Sequence, residues 1–472
     1  MIYFVPELYT LFAAGIFLVL SLVNDAPRRD FNLAVGLSAL GILVCLVWLG
    51  AQGLIFSGTY QVDTFSQVFK CLVYMGLFLV VSLCGSLAGV DSRRHSEFYF
   101  LLFICTLALM LLVSCVHLLT LYLALELSSY SLYILVYLRK GYEKGIEAAI
   151  KYFIIGASAS AIMLFGFALL YGTGQSGYLA DLVRDLPFRI GEPVVLIGLI
   201  LSLSGFFFKL ALFPFHFWAP DAYEAAPHQV SAYIATASKV AAIAVLLRIT
   251  ALSGQGGQLA WLLVVLAVFS MTAGNLAAVV QKDFKRLLAF SSVAHAGYVM
   301  IAILSMNRLG TESAIFYAIS LLVMKLACFM VVVQAAPGGG NIELRQLAGL
   351  HRRAPLLALA LMLALFGLAG IPPTIGFTAK LLVFTAAVKA GFLWLVLVAM
   401  INVVISLYYY LRVVKAAYFT EPEGEVRPMP LSLPMQGLAL FLIAAMIAGG
   451  LYPNPLIEMA DAMAASLSLK PF

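Results

Sequence analysis

Long apolar runs separated by short polar stretches recur along the whole chain. Each run is roughly 20 residues long, enough for an α-helix to cross a hydrocarbon core of about 30 Å. The pattern therefore predicts about 14 membrane-spanning helices. They are expected near residues 3–23, 31–50, 65–89, 96–115, 117–137, 147–171, 194–217, 228–250, 259–280, 286–305, 313–334, 354–388, 393–419 and 435–453. A short amphipathic tail near 455–467 is expected to lie along the membrane surface.

Two of the predicted spans are interrupted by proline. The seventh ends in FFFKLALFPFHFW, which contains Pro214, and the twelfth is too long for one straight helix and contains Pro372 and Pro373. Proline has no N–H, so it leaves a carbonyl of the preceding turn without its helical partner. The carbonyls expected to be free are those of Leu210, Leu368 and Ala369. Non-helical backbone at membrane depth is tolerated only against protein or water, so each interruption predicts a local hydrated site.

The two interrupted spans lie five spans apart, and this odd offset means that they cross the membrane in opposite directions. Spans four to eight (96–250) and nine to thirteen (259–419) are therefore predicted to form two inverted five-helix repeats. Three N-terminal helices (1–95) and a C-terminal helix with its tail (435–472) complete a single integral membrane domain (1–472). Paired interrupted helices in matching positions are typical of a transporter's binding or coupling site.

The composition agrees with an all-α polytopic membrane protein. The chain is 63% hydrophobic and 11% charged, with a mean hydropathy of +1.04. Soluble globular domains carry about 25% charged residues, so that class is excluded. Six cysteines are scattered through the spans without a C-x-x-C pair and are interpreted as small buried apolar residues. The lipid bilayer is the expected surrounding, and no nucleic-acid partner is expected.

The basic residues are distributed unevenly between the two sides. Sixteen of the 28, including Lys285 and Arg427, fall in loops on one side, and six, including Arg248 and Lys470, fall on the other. The richer side is expected to be cytoplasmic, which places both termini in the periplasm. The first apolar run has no basic segment before it, so it is interpreted as a retained span rather than a signal peptide.

Six basic residues remain, and all are lysines inside predicted spans: Lys70, Lys151, Lys209, Lys239, Lys325 and Lys380. Arginine stays charged almost anywhere, whereas a buried lysine can lose its proton at accessible pH. A set without arginine therefore indicates titration rather than fixed charge. Lys70 lies near a span end, where its side chain is expected to snorkel to the interface. An i,i+4 pair with Glu147 explains Lys151 as well as a transport role does.

Glu126 and His295 are further mid-span candidates. A carboxylate at mid-depth usually marks a pathway, although the tyrosines and serines around Glu126 also suit a helix-packing seam. His295 suits a proton relay and equally a packing role with one hydrogen bond. A further group flanks the turn after span seven, where a solvated turn and a polar site are both possible: His216, Asp221, Glu224 and His228.

Several segments resemble the antiporter-like membrane subunits of respiratory complex I and the related Mrp cation/proton antiporters. They are KLALFPFHFWAPDAYEAAPHQVSAYIATASK (209–239), KDFKRLLAFSSVAHAGY (282–298), GIPPTIGFTAK (370–380) and LYLALELSSYSLYIL (121–135). The likeness covers about spans three to thirteen. Within the family, FHFWAPDAYEAAP, the run SAYIATASKVAAI, the lysine at 380 and the lack of a long lateral helix resemble the N-type subunit most.

The resemblance implies a proton channel built on the inverted repeat. Glu126 and Lys209 would be the family's coupled glutamate–lysine pair, Lys239 the central connecting lysine and Lys380 the exit-side lysine, while Lys151 matches a further lysine of N-type subunits. It also implies an M-type antiporter-like neighbour and small K/J-type neighbours in a bacterial inner membrane. FMN, iron–sulfur clusters and quinone would then be bound by partner subunits of a proton-translocating NADH:quinone oxidoreductase.

The chain itself shows no redox motif. It lacks a G-x-G-x-x-G after a strand, a cysteine cluster and a spaced intramembrane histidine pair, so no cofactor or metal is expected on it. Two alternatives stay open. One is a sodium- or potassium-coupled Mrp-type antiporter or a hydrogenase-linked ion pump, and the other is a scaffold whose polar residues only join helices.

Overall fold

The computed structural model describes residues 2–23, 26–250, 252, 257–422 and 428–467. Arg427 and Lys470, which were counted in the predicted loops, lie outside these residues. Helices account for most of the described chain, as the hydropathy pattern predicts.

The helices of the first half run from the N-terminus to the end of the eighth predicted span. They are α1 Val5–Ser21, α2 Pro27–Val47, α3 Thr64–Ser82, α4 His95–Ser114, α5 Leu118–Tyr137, α6 Gly145–Gly174, α7 Leu179–Asp185, α8 Pro193–Ser202, α9 Ser204–Leu210, α10 Trp218–Ala225, α11 His228–Ala235 and α12 Ala237–Thr250. One hairpin of β1 Gly53–Ile55 and β2 Tyr60–Val62 lies between α2 and α3, paired antiparallel with Gly53 opposite Val62.

The second half contains nine helices among the described residues. They are α13 Gly257–Val279, α14 Phe284–Leu304, α15 Arg308–Ala335, α16 Leu350–Arg353, α17 Pro355–Ala369, α18 Ile375–Lys389, α19 Leu393–Phe419, α20 Leu433–Leu451 and α21 Asn454–Ser466. The last of these is the amphipathic tail. It packs against α15 and buries Ala460 and Met463.

The described chain contains 12 helical segments that are long and apolar enough to cross a membrane. The other two predicted spans correspond to the shorter helix α1 and to the interrupted pair α17 and α18. The expected all-α polytopic fold is therefore confirmed. The division into two inverted repeats stays a prediction.

The centre of the molecule is formed by α11, α12, α14 and α15. Every residue is buried in the most apolar stretches of His228–Thr250 and Arg308–Ala335. In the corresponding stretches of α2, α6 and α20, only about a third of the residues are buried. Polar side chains on the central helices consequently lie within protein rather than against lipid. This burial places Lys239, His295 and Lys325 in the interior.

Both predicted interruptions are present as breaks in the helical backbone. The first separates α9 from α10, and Ala211 at its start adopts a left-handed conformation with φ of 59°. The second separates α17 from α18, where Gly370 has φ of 88°. A Cβ at Gly370 would lie 2.9 Å from Cδ of Lys380, so glycine is needed there for the close approach as well as for the backbone angle.

A third discontinuity was not predicted. Thr236 separates α11 from α12 with φ of −118° and ψ of −92°, and its hydroxyl donates to the carbonyl of Ala232 at 2.7 Å. No proline or glycine marks this position, so the sequence carries no helix-breaking signal there. The irregular residue lies three positions before Lys239, at the middle of a fully buried segment.

Candidate functional site

The carbonyl freed at the first break is bound by a lysine from another helix. Lys239 of α12 donates from Nζ to the carbonyl oxygen of Leu210 at 2.5 Å, and the lysine side chain is buried. The free carbonyl of Leu210 follows from Pro214, as the sequence predicts. The donor that satisfies it could not be predicted, because it lies 29 residues away.

The second break is satisfied in the same way. Lys380 of α18 donates from Nζ to the carbonyls of Leu368 and Ala369 at 2.8 and 2.9 Å. These are the two carbonyls that the prolines were expected to leave free. The ammonium also lies 4.9 Å from the ring centroid of Tyr298, a cation–π distance. At each break, free backbone carbonyls thus accept hydrogen bonds from a buried lysine. These charge-assisted bonds are strongest while the amine is protonated.

Lys209 points away from the break that follows it. Its Nζ lies on the hydroxyls of Ser128 and Ser129 of α5, at 2.7 and 3.3 Å. Glu126 lies on the same helix, close enough to act electrostatically on Lys209, but no ion pair within 4.0 Å joins the two among the described residues. Oxygen Oε1 of Glu126 is buried and has no hydrogen-bond partner there. Glu126 and Lys209 therefore interact electrostatically without direct contact, and two serine hydroxyls lie beside the lysine.

A hydrogen-bonded group around Lys325 occupies the centre of the second half. Nζ of Lys325 donates to the carbonyl of Leu288 at 3.0 Å and to the hydroxyl of Ser291 at 2.7 Å. Ser291 in turn lies 2.5 Å from the hydroxyl of Tyr410 on α19. Sequence reasoning missed Tyr410, because a tyrosine in the YYY run of a peripheral helix gives no sign that it points inward.

His295 joins this group from the other side. Its Nε2 lies 3.2 Å from the hydroxyl of Tyr410, and its Nδ1 lies 2.7 Å from the hydroxyl of Tyr317. Two hydrogen bonds make it more than a packing residue with a single bond. The ring is also an electrostatic neighbour of three lysines, namely Lys239, Lys325 and Lys380.

Lys151 does not belong to this buried group. Its side chain is 47% exposed and pairs with Glu147 at 2.7 Å and with Asp221 at 2.9 Å. The predicted i,i+4 pair of Lys151 with Glu147 is therefore present, and a transport role of Lys151 stays a prediction. Asp221 shares its carboxylate with Arg286, which also contacts Glu224. The turn after the seventh span is thus part of a polar cluster rather than an isolated solvated loop.

This cluster lines a cavity of about 130 Å³ at the protein surface. Asp221 lies beyond the spanning segments, on α10. Burial acts to raise the pKa of Asp221, but its hydrogen bonds to Lys151 and Arg286 hold that pKa below its ordinary value. The carboxylate therefore stays ionised at neutral pH and keeps the cluster charged.

Three sequence assignments are wrong. Lys70 does not snorkel, because it is completely buried and lies 2.7 Å from Oε1 of Glu7, also completely buried. Arg248 is not in a loop; it is buried on α12 and binds both carboxylate oxygens of Asp63 at 2.8 Å. Lys285 is also buried, and it donates to the carbonyl of Ala226 at 2.8 Å.

Two of these corrections have one physical reason. The side chains are paired with acidic partners far away in the chain, so hydropathy alone did not detect them. The set of buried basic residues consequently includes an arginine, and burial by itself does not indicate titration. Arg248 has an acidic partner, whereas four buried lysines are bonded to neutral hydroxyls and carbonyls among the described residues. These lysines are Lys209, Lys239, Lys325 and Lys380.

Comparison with known families supplies the observation that decides the class. Residues 115–406 match the model described as NADH:quinone oxidoreductase/Mrp antiporter, TM. The chain belongs to this family. The matched region contains both breaks and the buried lysines Lys209, Lys239, Lys325 and Lys380.

Family members of similar length and architecture are known. The chain is 58% identical over 466 residues to the NADH-quinone oxidoreductase subunit N 2 of Syntrophobacter fumaroxidans, covering 98% of this chain and 99% of that one. A chain of respiratory complex I from Thermus thermophilus is 34% identical with a TM-score of 0.84, covering 96% and 98%. A chain of the Mrp complex from Dietzia, 22% identical with a TM-score of 0.87 over 99% and 98%, shares the fold.

These similarities agree with the geometry of the interior. The protein is an antiporter-like, proton-translocating membrane subunit of the NADH:quinone oxidoreductase/Mrp family. Its interior contains buried lysine, serine, tyrosine and histidine side chains, which are groups able to donate hydrogen bonds and, for lysine and histidine, to bind and release protons.

Proposed function

We propose that the chain is the N-type proton-translocating subunit of an NADH:quinone oxidoreductase and that protons pass from the Glu126–Lys209 pair through Lys239 to Lys380. The observation that carries this path is the use of a buried lysine at both helix breaks. Lys239 binds the carbonyl of Leu210, and Lys380 binds those of Leu368 and Ala369. Protonation of each lysine is thereby tied to the local backbone.

The path begins at the charged cluster around Asp221, Glu224 and Arg286. This cluster surrounds a surface cavity of about 130 Å³ on the side that carries most of the basic loops, which is the predicted cytoplasmic side. Lys151 belongs to this entrance and acts there as a charged, solvent-accessible partner of Asp221. In this proposal, the charged surface cavity supplies protons to the interior.

Glu126 sets the charge state of Lys209. The carboxylate favours the protonated lysine through space, and burial favours the neutral one. When the influence of Glu126 is removed, for example by a rearrangement of a neighbouring subunit, the proton leaves Lys209. The residue after Lys209 is Leu210, whose carbonyl holds the ammonium of Lys239, so the next site of the proposed path is attached to the backbone that follows Lys209.

The central group carries the proton onward. Lys325, Ser291, Tyr410 and His295 are joined by successive hydrogen bonds of 2.7, 2.5 and 3.2 Å. Hydroxyl and imidazole groups both donate and accept, so a proton can enter at one end of this series and leave at the other. Lys380, an electrostatic neighbour of His295, is the exit-side site.

The electron-transfer chemistry belongs to partner subunits in this proposal. FMN, iron–sulfur clusters and quinone are held there, and the chain contributes no redox centre. The described residues contain no group of three His, Cys, Asp or Glu that could hold a metal, and the six cysteines are buried. An M-type antiporter-like subunit and small K/J-type subunits are the proposed neighbours. The proposed location is a bacterial inner membrane with both termini periplasmic.

The inverted repeats (96–250 and 259–419) are part of the proposal. Each contains one break whose freed carbonyls are bound by a lysine ammonium, which supports a common ancestry of the two halves. The N-terminal helices (1–95) and the C-terminal segment (435–472) flank them within one membrane domain.

The test uses the assembled complex in membrane vesicles. Replacement of Lys209 or Lys380 by Met is expected to abolish proton translocation while the amount of assembled complex stays normal. Arg345→Met is the matched control, because its side chain is 81% exposed and remote from the path. Undiminished proton translocation in both lysine variants would refute the path.

The Mrp-type antiporter is the second candidate, favoured by the shared fold with the Dietzia complex. Purification separates the two. Co-purification with flavin- and iron–sulfur-containing subunits supports the oxidoreductase, whereas sodium- or potassium-driven proton exchange without such subunits supports the antiporter.

A further inference from the structure

The N-terminal helices contain a second buried acid–base pair that the proposed path does not use. Glu7 of α1 and Lys70 of α3 are both completely buried, and Oε1 of Glu7 lies 2.7 Å from Nζ of Lys70. The hydroxyl of Tyr60, in β2, donates to the same oxygen at 2.6 Å. The pair is therefore held by side chains from three different elements.

The pair is poorly satisfied for two buried charges. Among the described residues, Oε2 of Glu7 has no hydrogen-bond partner, and Nζ of Lys70 makes no hydrogen bond of good geometry. A buried ion pair is stable only when further hydrogen bonds satisfy the remaining donors and acceptors. The pair therefore lacks part of the hydrogen bonding that stabilises two buried charges.

A neighbouring pair shows what a purely structural ion pair looks like. Arg248 binds both oxygens of Asp63, and Asp63 also accepts hydrogen bonds from Gln61 and from the backbone of Ser66. Both oxygens of Asp63 therefore accept hydrogen bonds, although Nη1 of Arg248 has no hydrogen-bond partner among the described residues. The two pairs differ at the carboxylate, because Oε2 of Glu7 accepts no hydrogen bond there.

Hydroxyl groups lead from this pair toward Lys209. Thr10 follows Glu7 by three residues on α1, and its Oγ1 lies 3.2 Å from the hydroxyl of Tyr74. Tyr74 is an electrostatic neighbour of Glu7 and of Tyr233. These groups are all buried, so the line runs within protein.

The line continues on the far side of Tyr233. The hydroxyl of Tyr233 lies 2.6 Å from that of Thr106, and Cys105, the next residue, contacts the carbonyl of Ser128 at 3.3 Å. Ser128 is the residue whose hydroxyl holds the ammonium of Lys209. Buried hydroxyls and the thiol of Cys105 thus lie between the first lysine of the path and the N-terminal helices, and some neighbouring members of this line are hydrogen-bonded to each other.

The other end of the pair leads outward. Tyr60 lines an apolar cavity of about 340 Å³ that opens at the protein surface, together with Thr59 and Thr120. One side chain therefore touches both the cavity and Glu7. By the distribution of basic loops, this is the periplasmic half of the chain.

We propose that Glu7 and Lys70 form a second buried proton-binding site, connected to Lys209 by the hydroxyls of Tyr233, Tyr74 and Thr10 and to the periplasmic side by Tyr60. The step is a proton transfer alone. A proton that reaches Glu7 converts the carboxylate to the neutral acid and leaves Lys70 as an ammonium. The acid then releases one proton past Tyr60, which restores the carboxylate and its ion pair with Lys70. This lateral branch gives the first half of the subunit an outlet of its own and rests on the proposed proton translocation.

The experiment replaces both members of the pair, because loss of one alone would leave a buried charge unpaired. In the assembled complex, Glu7→Leu with Lys70→Met is expected to keep assembly and electron transfer but to lower the ratio of protons moved to electrons transferred. The matched control is Asp63→Leu with Arg248→Met, an equally buried pair off the line, whose ratio is expected to stay at the wild-type value.

Tyr74→Phe covers the case in which the double variant fails to assemble. It removes one hydroxyl and no charge, and it is expected to lower the same ratio. An unchanged ratio in assembled Tyr74→Phe complex, or in the assembled double variant, overturns the proposal. Lys209→Met measured in parallel keeps the outcomes separate, since normal translocation in that variant would refute the main path rather than the branch.

Discussion

The ammonium of Lys239 is bonded to the carbonyl oxygen of Leu210, at 2.5 Å, across the gap that Pro214 opens in the preceding span. A single hydrogen bond therefore connects a titratable group on the central helix α12 to the last residue of α9. Lys209 directly precedes Leu210 in the sequence. In the proposed path, a change in the charge of Lys239 therefore acts on the backbone next to Lys209.

Lys239→Met is expected to abolish proton translocation, since positioned proton donors and acceptors typically contribute about 100-fold or more to proton transfer. Lys239→Arg keeps the charge and a hydrogen bond to Leu210 but cannot lose its proton. We expect it to assemble well and yet to be equally inactive. The measurement is proton uptake in vesicles alongside electron transfer. Activity in the arginine variant would show that the position needs only a fixed charge.

The serines beside Lys209 provide a second test. A hydrogen bond to a charged group contributes about 1.5–3 kcal/mol, so the double variant Ser128→Ala, Ser129→Ala is expected to lower the proton-binding constant of Lys209 about ten- to hundredfold. Proton translocation should slow accordingly. Ser131→Ala is the control, because this serine lies on the same helix and bonds only to the carbonyl of Leu127. Equal rates in the two variants would exclude a role for the two hydroxyls.

Much of the path could be predicted from the sequence, and the reason is local. Proline removes an N–H at a fixed position, so Leu210, Leu368 and Ala369 followed from Pro214, Pro372 and Pro373 alone. The mid-span positions of Lys239, Lys325 and His295 followed from hydropathy. What a freed carbonyl binds is a matter of tertiary packing, and the donors Lys239 and Lys380 became visible only in the structure.

The errors have the same origin. Lys70 lies near a span end, which suits snorkelling, but its partner Glu7 is 63 residues earlier on another helix. Arg248 was placed in a loop because a window of hydropathy cannot show that Asp63 lies opposite it. The irregular residue Thr236 carries no glycine or proline. Long-range pairs and tertiary distortions of this kind leave no periodic signal.

Tyr410 connects the two halves of the central group. Tyr410→Phe removes the hydroxyl that contacts both Ser291 and His295, so proton transfer between Lys325 and His295 is expected to slow while the ring still fills its place. Loss of neutral hydrogen bonds costs about 0.5–1.5 kcal/mol each, which should leave assembly intact. Tyr408→Phe is the adjacent control, since that side chain is 60% exposed. A normal rate in Tyr410→Phe would remove this tyrosine from the path.

Arg248 is expected to matter for stability rather than for transport. Arg248→Met leaves Asp63 buried without its cation, and breaking a buried pair from one side destabilises by about 3–5 kcal/mol. The variant should lower the thermal unfolding temperature of the complex and its yield. The ratio of protons to electrons in the surviving complex should stay normal. A changed ratio at normal stability would instead assign Arg248 to proton transfer.

The final prediction concerns α21, which is tied to α15 by an exposed ion pair. Arg308 donates to both carboxylate oxygens of Asp461 at 2.6 and 2.7 Å, and these hydrogen bonds hold the pKa of Asp461 below its ordinary value. Because the pKa of Asp461 is lower when α21 is docked, the ion pair stabilises docking fully at pH values above the pKa of the undocked carboxyl. This stabilisation is lost as the pH falls through the pKa of the docked carboxyl. Hydrogen exchange of α21 amides should therefore accelerate, relative to the intrinsic rate, on acidification below about pH 4. Asp461→Asn should show the faster exchange already at pH 7, whereas Glu458→Gln on the same helix should behave like the unchanged protein. The opposite result is an exchange rate of α21, relative to the intrinsic rate, that does not change with pH in the unchanged protein. It would show that the burial of Ala460 and Met463 holds the helix in place without the ion pair.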